Sequence, residues 1–505
     1  MFDPVTKTDV LTRNGVLLVL KPAYAYDSTL SYDVLECFMS TLAKPSAAQQ
    51  ACPNGKPRIA VVGAGLAGLS AAWLLKQKYQ VTLFESHSTA GMGVHTCDYH
   101  SRGQHTRIDV PLRIFTQGYY PQLFALYKHL GVEMERSDHA AVYQRLETGK
   151  KPVLAPYFQY INKKIGNKKF SVLHRNSLNT GGLLLALGHF RFFRRAKSDY
   201  KKNKAQLTQI RFGDYIKQNS FNKKYIEQIL LPALAVTCTC DYDAILDYPA
   251  DLILQYLTCG ILDNGIVRAK LGVDGIVPKL TQGYKVLCGQ QVQSVKESSA
   301  GQPITLVSKN IEDGTFSEYE FDSIVIATQA DVAKKILSSL HNPKQSQLLS
   351  AIPMQSSTMV LHTDIDLVYG QQHASSVSYI FDENSPRPST TVDLSKAFST
   401  YAQQAPVFQT WNILKAPKKD SVINQSDFTR PIVTLSSRES VAQLLDINKT
   451  SNIKICGSYM ANKIPLLDAA VESSVKVARQ LGCDIPWESS INAEQQDYSP
   501  AVLAY

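Results

Sequence analysis

The hexapeptide Gly63-Ala64-Gly65-Leu66-Ala67-Gly68 limits what this chain can fold into more than any other feature. Before it runs Arg58-Ile59-Ala60-Val61-Val62, short and continuously apolar, as a strand covered on both faces of a parallel sheet must be. After it, Leu69-Ser70-Ala71-Ala72-Trp73-Leu74-Leu75-Lys76 reads as a helix, and Val81-Thr82-Leu83-Phe84 as a second strand. The connections are short enough for one βαβ unit. In that setting Gly63 permits the tight turn, Gly65 lets backbone approach a pyrophosphate, and Gly68 lets the helix pack closely on the strand. The helix start, with Leu66 and Ala67, offers free N–H groups and a partial positive charge to phosphates. Glu85 ends the second strand, seventeen positions after Gly68. A carboxylate there accepts hydrogen bonds from a ribose diol and repels a 2′-phosphate. The glycine pattern alone is weak; the strand before it and the helix after it are what predict a dinucleotide site.

With 505 residues the chain exceeds what one hydrophobic core fills. Residues 1–56 read as an N-terminal extension ending in the turn-rich Cys52-Pro53-Asn54-Gly55-Lys56-Pro57. Residues 57–140 form a first dinucleotide-domain segment and 141–264 a helical cap or substrate region. Residues 265–334 return to the dinucleotide domain, 335–450 form a substrate domain, 451–484 close the dinucleotide domain, and 485–505 are a tail. The fold class expected is therefore α/β: a Rossmann-like domain built from discontinuous segments, with a mixed α+β substrate domain. The nine cysteines are scattered without CxxC pairs, which argues against a disulfide framework or a structural zinc site, so no metal is expected. No apolar run reaches 18 residues and the N-terminus lacks a secretory pattern, so a cytoplasmic protein is expected. The net charge of +10 is compatible with an anionic membrane surface or an acidic ligand. Without a nucleic-acid-binding motif it is poor evidence for RNA or DNA. Oligomeric state is not readable.

Beyond Glu85 comes Ser86-His87-Ser88-Thr89-Ala90-Gly91-Met92-Gly93, a second glycine-bearing turn six residues after the acid. This layout resembles the flavin amine oxidase superfamily, with Met92 standing where its members carry the second glycine of the turn. The resemblance continues in order through Ile108-Asp109-Val110-Pro111-Leu112-Arg113-Ile114-Phe115, Tyr119-Tyr120-Pro121, Leu231-Pro232-Ala233-Leu234, Ile324-Val325-Ile326-Ala327-Thr328, Ile455-Cys456-Gly457-Ser458 and Asp468-Ala469-Ala470-Val471. It implies FAD as cofactor, held by the glycine motif and Glu85 together with Gly91, Met92, Val292, Gly457, Ser458 and Ala470. Members often carry Asp after the late glycine, where this chain has Ser458; a hydroxyl still bonds a phosphate or ribityl oxygen.

The resemblance implies an FAD-dependent oxidoreductase of the amine oxidase/desaturase type, moving hydride from a substrate C–N or C–C bond to flavin. A non-catalytic flavoprotein and a flavin-dependent desaturase or isomerase of lipids stand as alternatives. It also implies that residues 109–121 run past the flavin ring. Arg113 would then stabilise negative charge on reduced flavin or bind an anionic substrate head, and Tyr119 and Tyr120 would wall the pocket. The competing readings are a structural Asp109–Arg113 salt bridge and core packing of Tyr-Tyr-Pro. His95 and Cys97 each either attach flavin covalently or are ordinary side chains; His362 reads as a core histidine. The stretch from Leu183 to Arg195, apolar then basic and extended by Lys197, Lys201, Lys202 and Lys204, is either a cap helix with a solvated basic face or an interfacial helix making peripheral membrane contact. The partner expected is a small molecule, apolar or anionic.

Overall fold

The computed structural model describes residues 55–92, 95–147, 153–165, 168–259, 265–297, 302–367, 375–489 and 491. Of the expected extension over 1–56, residues 1–54 lie outside the described residues, as do Gly93 and most of the tail. From Lys56 onward the chain forms one unit. Five strands make a parallel sheet in the order Lys285–Leu287, Gln80–Phe84, Arg58–Val62, Ser323–Ile326, Ile453–Ile455. The continuous apolar runs are explained at once. Alternate residues feed two separate cores: Ile59, Val61, Leu83 and Val325 enter one, and Ala60, Val62, Phe84, Ile324 and Ile326 the other. The first core is covered by the helices Leu66–Leu75 and Leu467–Gln480, pinned together where Ser474 Oγ donates to Ala67 O at 2.7 Å.

A second, eight-stranded sheet runs Val422–Pro431, Met354–His362, Phe408–Trp411, Ser389–Asp393, Val377–Phe381, Ala141–Glu147, Val153–Ile165, Lys168–Leu173. Its pairings are antiparallel except where Val377–Phe381 meets Ala141–Glu147. This corrects the reading of 141–264 as helical. Ala141–Glu147, Val153–Ile165 and Lys168–Leu173 are strands, and the α-helices begin only at Thr180–Lys202 and continue to Ala250–Thr258. The strand alternation is disguised because inward positions are polar. Gln144 and Gln159 are both fully buried; Gln144 Oε1 accepts from Ser378 Oγ at 2.9 Å and Gln159 Nε2 donates to Ser375 Oγ at 3.0 Å.

The assignment of all of 335–450 to the substrate domain also needs correction. Leu349 and Leu444, from the helices Lys344–Leu349 and Leu435–Thr450, sit in the same core as Ile324 and Ile453 of the parallel sheet. Thr434 starts the second of these helices with a reciprocal capping box directly after the strand Val422–Pro431. The chain therefore leaves the large sheet there and covers the parallel one. Asn448 then fixes the last parallel strand, donating to Ile455 O at 2.7 Å and accepting from Ile455 N at 2.9 Å.

Candidate functional site

The glycine motif lies at the carboxyl end of the central strand, where neighbours diverge to either side of the sheet, the place where open α/β sheets bind ligands. Gly63 has φ +99° and its amide donates to Phe84 O at 2.7 Å. A Cβ on Gly68 would stand 1.8 Å from Gly63 O, so no side chain fits between helix and turn. Gly65 is the opposite case: a Cβ there meets nothing within 4 Å. It faces the space before the helix N-terminus, where no side chain caps the backbone. The intrahelical ladder begins with Leu69 N donating to Gly65 O at 2.9 Å, which leaves the amides of Leu66, Ala67 and Gly68 pointing out of the helix end. That geometry fits a pyrophosphate.

Glu85 is 7% exposed and closes the cradle. Its Oε2 accepts from Ala64 N at 2.7 Å, and its Oε1 accepts from His87 N at 3.0 Å and from Ser86 Oγ at 3.1 Å. Gln290 N donates to Glu85 O at 2.8 Å, bringing the strand Gln290–Lys296 alongside, with Val292 buried two residues further on. Gly91 and Met92 are buried. The late turn is tied to the same cradle. Cys456 N donates to Ile326 O at 2.9 Å, Gly457 N donates to Ser473 Oγ at 3.0 Å, and Ala470 O accepts from Ser474 Oγ at 3.0 Å, the hydroxyl that reaches Ala67. Gly457 has φ +154°, and a Cβ would fall 2.6 Å from the Tyr459 ring. Ser458, half-buried, opens the short turn Ser458–Met460.

The segment 109–121 is held by protein partners. Arg113 Nη2 donates to Met92 O, Nη1 donates to Pro111 O at 3.3 Å, and Nη1 lies 3.6 Å from Asp109 Oδ2. Asp109 is buried, which pushes its carboxyl above the usual range although Arg113 and the Val273 amide oppose this. Arg113 thus clamps the second glycine turn onto this segment. Tyr119 Oη accepts from Ile464 N at 3.1 Å, and its ring meets Tyr256 edge-on at 5.0 Å and Tyr120 at 5.5 Å. Burial raises both tyrosine hydroxyls well above their ordinary range, so both are neutral donors or acceptors. Cys97 is half-buried with its thiol pushed up by burial, and His95 packs edge-on against Phe428 at 5.4 Å. His362 is a core histidine: fully buried, with Nε2 2.8 Å from Thr410 Oγ1 and its pKa pushed down to about 4 by burial.

One residue escaped the sequence reading. Arg430 stands near the end of the strand Val422–Pro431, opposite Gln355, with the charge of Arg113 and the hydroxyls of Tyr120 and Tyr248 close by. Its guanidinium makes no hydrogen bond or ion pair among the described residues. The residue is half-buried. Burial lowers its pKa, but an arginine stays charged. A single basic residue in a mixed strand carries no sequence signal of this isolation.

A glycine cradle on a parallel sheet, together with a larger mixed sheet, is a fold that this chain shares with solved structures. Residues 61–130 match the NAD(P)-binding Rossmann-like domain family. No curated protein matches the chain by sequence. Among solved structures, a double mutant of putrescine oxidase superposes with TM-score 0.56 at 12% identity, covering 85% of this chain and 99% of its own. Cyclohexylamine oxidase from Brevibacterium oxydans IH-35A gives 0.55 at 14% identity, covering 85% and 100%. The CLA-producing fatty acid isomerase from P. acnes gives 0.58 at 12% identity, covering 83% and 97%.

Proposed function

We propose that the protein is an FAD-dependent oxidoreductase acting on a small molecule with an apolar body and an anionic end, from which it removes hydride at a C–N or C–C bond. The observation that carries the cofactor reading is the cradle itself: outward amides at an uncapped helix start, open space over Gly65, and Glu85 beside it. Bound flavin supplies the hydride acceptor; the protein supplies placement and electrostatics. Leu66, Ala67 and Gly68 amides would take the phosphates, Glu85 a ribose diol, and Ser458 and Ala470 the second helix end. Arg113 holds the Met92 turn in place, and Tyr119, Tyr120 and Tyr256 form one apolar wall. Arg430 supports the anionic end. A half-buried guanidinium without a carboxylate, feeling the charge of a second arginine, is stabilised by an anion arriving with the substrate. Proteins of this fold include both amine oxidases and a fatty acid isomerase, and the lone Arg430 favours an acid over an amine.

The test is an absorbance spectrum of the purified protein with acid release of the chromophore, then anaerobic mixing with medium-chain carboxylates and the matching amines. Bleaching of the bound-flavin absorbance by carboxylates alone is expected, and Arg430→Gln should raise the half-saturating acid concentration at least tenfold with flavin content unchanged. A colourless protein that takes up no added FAD overturns the cofactor reading. Bleaching by amines only, unaltered in Arg430→Gln, overturns the anionic substrate.

A further inference from the structure

Among the described residues, twelve large hydrophobic side chains are conspicuously exposed, and five of them fall within thirteen residues: Leu178 at 62%, Leu183 at 51%, Leu184 at 52%, Leu187 at 43% and Phe190 at 62%. Four of the five lie in the first half of the helix Thr180–Lys202. At about 100° per residue, Leu183, Leu187 and Phe190 share one stripe, with Leu184 at its edge. The opposite stripe, Gly182, Leu185, Gly188, Phe192 and Ala196, is buried. There a Cβ on Gly188 would meet Tyr225 at 2.8 Å, so the packed face is closely fitted. The apolar stripe is therefore not an unfinished core contact of this unit.

The same outer stripe changes character along the helix. Arg194, Lys197 and Lys201 continue it, flanked by Arg191, Arg195 and Lys202, and all six are exposed. Between Arg175 and Lys204 the single acidic residue is Asp199, which is buried and paired with Arg195 at 2.7 Å. Every exposed charge over this stretch is positive. The helix is too charged to cross a membrane, and no described helix is long and apolar enough to do so.

We propose that this helix docks the protein on an anionic lipid bilayer, lying in the interface with Leu183, Leu184, Leu187 and Phe190 among the acyl chains and the following cations on the lipid phosphates. The sequence of surfaces fits that occupant. About 10 Å of helix length carries the apolar patch, two turns whose outward side chains enter the acyl boundary when the helix lies in the interface. The basic half then matches a negatively charged plane, which a neutral apolar groove on a protein would not require. Patches of this size on soluble domains mark interaction surfaces.

The experiment is flotation of the full chain with vesicles of phosphatidylcholine alone and with about a third phosphatidylserine, in low and high salt. The wild type should float with the anionic vesicles and be released by salt. Each cation near the surface is worth about fivefold, so Arg191→Glu/Arg194→Glu/Lys197→Glu should weaken partitioning at least about a hundredfold. Leu187→Glu/Phe190→Glu should abolish it, and since both side chains are exposed its melting temperature and flavin content should match the wild type. Failure of the wild type to float with anionic vesicles overturns the proposal, as does flotation undiminished in both variants. So does a wild-type dimer in solution that the Leu187→Glu/Phe190→Glu variant dissociates without any vesicle binding, because the patch then serves a second copy of the chain.

Discussion

The cradle at Gly63–Glu85 and the segment around Arg113 are both built from buried polar contacts near one turn, but they are assembled differently. In the cradle, partners are close in sequence: Ala64 to Glu85 spans 21 residues, and Gly63 and Gly68 are demanded by backbone geometry on the spot. Around Arg113 the partners come from everywhere. Met92 lies behind it, Gly272 and Val273 press on Asp109 from far along the chain, and Arg430 arrives from the other sheet. Requirements on the backbone leave a mark on the local sequence, because only glycine satisfies them. Requirements on a side chain's neighbours leave none.

The largest effect expected tests the two glycines against each other. Gly68→Val must push a side chain into Gly63 O, and no soluble folded protein is expected. Gly65→Val has room for its side chain and φ −65°, so it should fold with a melting temperature close to wild type. It should nevertheless lose at least about a hundredfold in flavin affinity, because the side chain fills the space the phosphates need. Both are read from melting curves and flavin titration. Equal behaviour of the two variants would erase the distinction between a packing glycine and a ligand-facing one.

Next in size is Glu85→Ala. Removing a charged acceptor should weaken flavin binding by about 1.5–3 kcal/mol. The Ala64 amide also loses its acceptor, so some loss of melting temperature accompanies it. If affinity is unchanged while melting falls sharply, Glu85 serves the turn alone. Glu85 illustrates what the sequence discloses: strand, glycine turn, helix, strand and acid follow one another at spacings that only a βαβ unit satisfies. The late strand Ile453–Ile455 with Gly457 was readable in the same way. The strands over 141–173 were not, because Gln144 and Gln159 occupy inward positions that apolar residues usually mark. Nor was Arg430, whose meaning lies in what it fails to contact.

The smallest effect expected is at Arg113, and it separates a clamp from a group that meets the flavin or substrate. Arg113→Lys keeps a positive charge facing Asp109, but one ammonium cannot serve Asp109, Pro111 O and Met92 O together as the planar fork does. Losing one arm should cost about 1 kcal/mol, a net hydrogen bond's worth, and lower the melting temperature by no more than about 2 °C. With the turn still tethered, flavin reduction by substrate should proceed at the wild-type rate and the flavin potential should not move. A group touching the isoalloxazine would behave in the opposite manner: melting unchanged, potential lowered and reduction slowed, because the reduced flavin's negative charge would lose its planar donor. Stopped-flow reduction and a redox titration of wild type and Arg113→Lys, set beside their melting curves, distinguish the two. A slowed reduction without loss of stability would move Arg113 from the clamp to the reacting face.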